Sequence, residues 1–218
     1  NWTAGEPTAA IVFYRALVQG GGMDPVDRMI DALRVRGLNP NPVFVASLKD
    51  PVSAATLSGI YDTTPPDVII NATSFAVSSP DPGDWRDERA ATVLDAPGVP
   101  VLQAVLAAHS HQAWADGTTG LTARDIAMNV ALPEVDGRLL ARAVSFKDED
   151  YRDEACECAI ATHRAQPDRV EFVANMAARW ARLKNKPAAE RKVAIIVQVP
   201  HGLAHAHKHG IVHRDIKP

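Results

Sequence analysis

The 218-residue sequence is poor in cysteine, in aromatic residues and in any excess of one charge. Its two cysteines, Cys156 and Cys158, are one residue apart, too close for an easy structural disulfide and too few for a disulfide framework. A reducing, cytoplasmic setting is the expectation. With His163 nearby the pair could be read as part of a metal site, but a Cys-x-Cys without a second pair is weak ground, and a plain connecting segment is the simpler reading. The formal charge of -3, with both signs mixed along the chain, leaves no basic stripe for nucleic acid. No apolar run approaches the roughly 20 residues of a bilayer crossing, and the first residues carry no charged-then-apolar leader. What the chain does have is 46% hydrophobic residues, enough at this length to bury a core.

Residues 9–14 form a compact apolar run of the kind expected of a buried strand. Asp24 stands as an N-cap with Pro25 at the first helical position, and Val26, Met29, Ile30 and Leu33 recur at helical spacing up to Gly37. Residues 42–46 read as a second strand, Asp50-Pro51 opens a second helix that cannot pass Pro65-Pro66, and residues 68–70 make a third strand ending at Asn71. This alternation predicts an α/β fold, a mostly parallel sheet flanked by helices, followed by a long helix and the first strand of an incomplete second domain. Ligands of such sheets collect at the carboxyl ends of the strands, the edge that would hold Asn71 and the triple glycine at residues 20–22. Those glycines would cradle an anion or serve as a plain connector, and they match neither the dinucleotide nor the Walker pattern. Residues 74–97 are loop-like, with one short helix possible at 88–94. Residues 100–105 resume the sheet, and His109 and His111, which cannot share a helix face, read as solvent-facing.

Candidate chemistry concentrates at residues 124–137. A short apolar helix capped by Thr122 is expected to break at Pro133 and to be followed by Glu134, Asp136 and Gly137, with a strand over residues 138–146. In extended backbone Glu134 and Asp136 would point the same way. Two carboxylates on one side of a cleft raise one another's proton affinity, which suits a base near neutral pH. The plain alternative is a turn with Glu134 solvated and Asp136 bonding its own backbone. Arg124, Arg138 and Arg142 suit substrate carboxylates, and Asn71 and Asn129 could offer amide hydrogen bonds, although surface arginines usually meet only water and neighbouring acids. Residues 148–164 read as a charged, irregular boundary between domains. Asp168 with Glu171 reads as a capping box, opening a helix whose packing stripe is Phe172, Val173, Met176, Trp180 and Leu183. Residues 192–197 read as another strand.

Several ordered motifs carry a resemblance over roughly residues 5–198. They are Ala9-Ala10-Ile11-Val12-Phe13-Tyr14-Arg15, Arg36-Gly37-Leu38-Asn39-Pro40, Ser47-Leu48-Lys49-Asp50-Pro51, Pro66-Asp67-Val68-Ile69-Ile70-Asn71-Ala72-Thr73 and Met128-Asn129-Val130-Ala131-Leu132-Pro133-Glu134-Val135-Asp136-Gly137-Arg138. Together they resemble the large subunit of aerobic cobaltochelatases and its magnesium chelatase H relatives. The resemblance implies a tetrapyrrole-binding chelatase subunit that inserts Co(II), its substrate metal, into hydrogenobyrinic acid a,c-diamide in cobalamin biosynthesis. ATP and Mg would be used by separate AAA+ partner subunits. Magnesium insertion into protoporphyrin is the neighbouring alternative. It further implies that Glu134, and behind it Asp136, serve chelation. A carboxylate suits the task chemically, since it can accept ring protons and hold a metal transiently through oxygen.

Past residue 200 the sequence instead resembles a Ser/Thr kinase catalytic loop, with His213-Arg214-Asp215 and Lys217 in the matching positions. The metal-binding Asn, the Asp-Phe-Gly segment and the Gly-rich loop are not there, so Asp215 and Lys217 are not expected to function. A histidine metal site at the helical spacing of His201, His205 and His209 is the remaining reading of that tail. The expected division is residues 1–147 as an α/β domain, 148–199 as linker, helix and start of a second domain, and 200–218 as a kinase-like tail joined near Val199. A chain of this extent is expected to be inactive alone.

Overall fold

Strand β1 (Thr8–Tyr14) is apolar at consecutive positions because it lies inside a sheet covered on both faces. Ala9, Ile11 and Phe13 face one helical layer, and Ala10 and Val12 face the other. The computed structural model describes residues 2–78, 91–184 and 186–187. The kinase-like tail with Asp215 and Lys217, its histidines and the apolar run 192–197 lie outside the described residues.

In chain order the elements are β1, α1 (Arg15–Gln19), α2 (Asp24–Val35), β2 (Asn39–Val45), α3 (Pro51–Thr63), β3 (Val68–Asn71) and β4 (Val101–Leu106). Helices α4 (His111–Asp116) and α5 (Ala123–Ile126) follow, then a π-helical turn (Ala127–Ala131), α6 (Leu132–Val135), β5 (Leu139–Asp153), β6 (Cys158–Ala165) and α7 (Pro167–Leu183). The six strands lie in the order β2-β1-β3-β4-β5-β6. The first five are mutually parallel, and β6 runs back antiparallel on β5. The α/β expectation holds. Helices α2 and α7 cover one face, placing Val26, Met29 and Leu33 beside Val173, Ala174 and Ala177. On the other face α3 contributes Leu57 and Tyr61, and Trp114 and Val130 close over Phe146.

Several local expectations are revised. The glycine run terminates α1: the Gly20 and Gly22 N–H groups donate to Ala16 and Leu17 carbonyls at 2.9 Å, and Gly21 takes φ +68°. Amides committed to a helix end are not a cradle for an anion. Asp24 is the first residue of α2 rather than its cap, and its carboxylate accepts the Ala165 N–H at 2.7 Å, tying α2 to the end of β6. Residues 148–164 are not irregular. They form most of a hairpin in which Lys147 pairs with His163 and Glu149 with Ala161, so the boundary expected after residue 147 falls inside β5. A strand end solvated on both faces shows no apolar alternation, and only its pairing partner defines it. Phe172 leaves the packing stripe of α7 and is exposed, while small alanines do the packing. Residues through Ala181 make one compact unit.

Leu33 is fully enclosed between α2 and the sheet, whereas Val35, on the same helix, is 83% exposed. Leu33→Ala is expected to lower the unfolding free energy by about 2–5 kcal/mol, and Val35→Ala to change it by less than about 0.5 kcal/mol. Urea unfolding with an unchanged m-value checks both.

Candidate functional site

The site begins with a geometric mismatch between neighbouring strands. β3 stops at Asn71, opposite Gln103, while β4 continues to Leu106 and β5 lies beside it. The chain leaving β3 therefore sits over the exposed flank of β4, where the segment 123–138 also lands. Polar side chains fill this corner. Asn71 donates to the Gln103 side-chain oxygen at 2.8 Å and accepts from Thr73, and Gln103 donates to the Thr73 carbonyl at 2.8 Å.

The helix of this segment does not break at Pro133. It widens into the π-helical turn at Ala127–Ala131 and continues to Val135. A proline inside a helix lacks an N–H and collides with the carbonyl four residues earlier, and the wider turn accommodates both problems. The helix then ends on Gly137, whose φ of +69° lets its N–H reach the Glu134 carbonyl at 2.8 Å. That ending decides where the candidate carboxylates go. They are on helical backbone and not extended, so they do not share a direction: Glu134 is exposed and Asp136 is buried.

Asp136 is a structural anchor. It pairs with Arg138 at 2.7 Å and accepts the Val77 N–H at 2.7 Å, the Ser78 N–H at 3.0 Å and the Ser78 hydroxyl at 2.5 Å. Burial alone would raise its pKa, but the Ser78 and Val77 hydrogen bonds and the Arg138 charge outweigh burial and hold it below the usual carboxylate range. The mutual elevation expected for a base pair of carboxylates is thus absent at Asp136. Arg138 also donates to Gln103 at 3.3 Å, and its Nε–H has no partner among the described residues.

A shallow cavity of about 100 Å³ lies here, lined by Gln103, Val130, Pro133, Glu134, Arg138 and Leu140. It brings Glu134 and Arg138 together. The other expected residues are placed differently. Asn71 and Asn129 are buried with internal partners, Asn129 accepting from Ser74 at 2.6 Å and donating to Asp125 at 3.3 Å. Arg124 is exposed on α5. Arg142 lies over the Phe172 ring, 3.7 Å from its centre.

One group was missed in the sequence. Asp125 is buried and accepts from the Ala108 N–H, the Thr122 hydroxyl and His109 Nδ1. His109 is therefore turned inward with a side chain only 16% exposed, and its Nε2 has no partner among the described residues. The spacing of Thr122 and Asp125, which matches a helix cap, was the available signal. His163, read in the sequence only beside the two cysteines, instead meets the Ser145 hydroxyl at 3.1 Å; burial and the Lys147 charge lower its pKa while Asp125 opposes them. Among the described residues no cluster of His, Cys, Asp or Glu could hold a metal ion, and Cys156 and Cys158 are free and exposed. No helix of the described residues is long and apolar enough to cross a membrane.

The sequence profile of the CobN/Magnesium Chelatase family matches residues 1–206. The chain belongs to that family. It is 50% identical over 191 residues to the aerobic cobaltochelatase subunit CobN of Sinorhizobium sp, covering 88% of this chain and 15% of the relative. The magnesium-chelatase subunit ChlH of Oryza sativa is 28% identical over 194 residues, covering 88% and 13%. Among solved structures, the catalytic subunit of cobaltochelatase from Mycobacterium tuberculosis superposes with a TM-score of 0.67 at 28% identity, covering 84% of this chain and 15% of that one. The chain thus spans about 15% of the length of these CobN relatives. Within this portion of a CobN-family fold, Asp136 and Arg138 hold the corner on which Glu134 is displayed.

Replacing Asp136 by Asn should leave Arg138 buried without a counter-ion and cost about 3–5 kcal/mol. Because the native pKa of Asp136 is depressed, its stabilisation is complete above the unfolded value of about 3.9 and is lost as pH falls through the lower native value. Unfolding measured from neutral pH into this acid range should show a steeper decline for the wild type than for Asp136→Asn, and parallel curves would count against the pair.

Proposed function

We propose that this chain is part of the tetrapyrrole-binding large subunit of an ATP-dependent cobaltochelatase, the subunit that receives Co(II) and hydrogenobyrinic acid a,c-diamide. The observation that carries the reading is the cavity that sets Glu134 beside the incompletely paired Arg138 in a CobN-family fold. Cobalt is favoured over magnesium by the higher identity to the CobN subunit than to ChlH.

In this mechanism Glu134 is the proton acceptor. Entry of a divalent ion displaces protons from ring nitrogens, and an exposed carboxylate on a rigid helix end can take one and pass it to water. The same carboxylate offers an oxygen to the incoming ion as it sheds its hydration shell. Asp136 acts through position only, since its oxygens are engaged by Arg138, Val77 and Ser78. Arg124, exposed on α5, would meet the substrate's carboxylates from the rim, whereas Arg138, its side chain buried against Asp136 and Gln103, backs the cavity and Arg142 is held over Phe172 of α7. Asn71 and Asn129 would support the polar floor from within. A cavity of about 100 Å³ is smaller than the roughly 300–1,000 Å³ that small-molecule ligands occupy, so the rest of the cleft would come from parts of the large subunit beyond this sequence. Separate AAA+ subunits would hydrolyse ATP with Mg. The free, exposed Cys156 and Cys158 suit a cytoplasmic location.

Glu134→Gln, placed in a large subunit of the relatives' length carrying this sequence and assayed with ATPase subunits, should lower the rate of Co(II) insertion by about 10²–10⁴-fold while leaving macrocycle affinity nearly unchanged. Absorbance spectroscopy of the corrin reads both quantities. The chain as given should not insert cobalt, and stoichiometric insertion by it would overturn the division of labour proposed.

A further inference from the structure

A second cavity, of about 240 Å³, lies at the carboxyl ends of β1 and β2 and beside the chain leaving β3. Its lining includes Tyr14, Ser47, Leu48, Lys49 and Phe75. In the strand order β2-β1-β3-β4-β5 the chain leaves β1 for one side of the sheet and β3 lies on the other. Such a switch point opens a crevice at the strand ends, where ligands of parallel sheets bind.

Phe75 is the unusual residue of this cleft. Its φ of +67° lies in the left-handed region, which bulky side chains rarely enter. The segment is fixed from several directions. Phe75 donates its N–H to the Met128 carbonyl at 2.8 Å, Tyr14 donates to the Ser74 carbonyl at 3.0 Å, Ser74 bonds Asn129, and Asp136 takes the N–H groups of Val77 and Ser78. Backbone strain of this kind persists only where the surroundings over-determine it, and it clusters at ligand sites. The side chain held in this way is 49% exposed. An aromatic face is held open at the cleft.

Polar groups complete the picture. Lys49 is exposed and has no ion pair among the described residues. The Ser47 hydroxyl accepts the Lys49 N–H at 3.1 Å, leaving its own proton to donate. Asp50, the next carboxylate, is turned onto the start of α3, where it accepts from the Ser53 N–H and hydroxyl, and so does not answer the Lys49 charge at close range.

We propose that this cleft is a recognition subsite for the edge of a planar apolar ring bearing an acidic side chain, with Phe75 stacking on the ring and Lys49 and Ser47 holding the carboxylate. The proposal rests on the chelatase reading, which makes the ring part of the macrocycle, and it adds a subsite separate from the Glu134 cavity. The volume admits a ring edge and one substituent rather than a whole macrocycle. The two sites share a frame, since Asp136 anchors both the loop that carries Phe75 and the turn after Glu134.

The test titrates the chain with a porphyrin dicarboxylate and with the same porphyrin converted to a neutral diamide, followed by the porphyrin absorbance. The wild type should prefer the acid by about fivefold, the worth of one partly exposed ion pair, and Lys49→Gln should remove that preference. Phe75→Gly should weaken both ligands without lowering thermal stability, because glycine accepts the left-handed backbone freely. Binding of both ligands without preference, a preference that survives Lys49→Gln, or unchanged affinity in Phe75→Gly would each overturn the subsite and leave the chelatase reading standing. If neither porphyrin binds the wild type, the subsite falls, while the chelatase reading, which draws the rest of its cleft from beyond this sequence, is judged by the Glu134→Gln assay.

Discussion

One buried ion pair, Asp136 with Arg138, joins the parts of this structure that matter for function. Each partner alone would be expensive inside the protein, and together they are tolerable because further hydrogen bonds occupy the Asp136 carboxylate and a second arm of the Arg138 guanidinium. Asp136 spends its oxygens on Val77, Ser78 and Arg138, and Arg138 reaches Gln103 on the floor of the sheet. The pair thereby fixes the loop after β3, the start of β5 and the middle of β4 relative to one another. Everything displayed at the corner, Glu134 on one side and Phe75 on the other, depends on that fixing.

The sheet was legible in the sequence for a simple reason. A strand buried on both faces is apolar almost throughout: residues 9–14 and 68–70 are, and residues 101–105 break the run only at Gln103. The caps at Asp50 and Thr122 were legible as well, since a short polar side chain before a helix has few other uses. The hairpin at β5 and β6 was hidden because its outer half is wet on both sides, and α1 was hidden because five residues give no periodicity to read. Gly20 to Gly22 was visible as a feature, but only the hydrogen bonds distinguish a helix end from an anion cradle.

At the site, sequence reading picked out the stretch of chain and misjudged its backbone. Glu134 and Asp136 are two residues apart, which means one direction in a strand and divergent directions on a helix end. Pro133 invited the first reading, because a proline usually stops a helix; the π-helical turn that absorbs it leaves no local signature. Asp125 with His109 and Tyr14 with Ser74 are contacts between residues far apart in sequence, brought together by crossovers that no local pattern encodes. Family resemblance supplied what periodicity could not, by marking Glu134 among many surface carboxylates.

The π-helical turn at Ala127–Ala131 also sets a phase. One residue in an α-helix corresponds to about 100° of rotation, so the extra residue accommodated by the wide turn rotates α6 relative to α5 by a comparable angle. Asp125 and Asn129 face the protein while Glu134, less than three turns on, faces the cavity. In this part of the chain the length of the segment between Thr122 and Gly137 is therefore as much a specification as its composition: a relative that gained or lost one residue there would keep the same side chains and present a different one to the cleft.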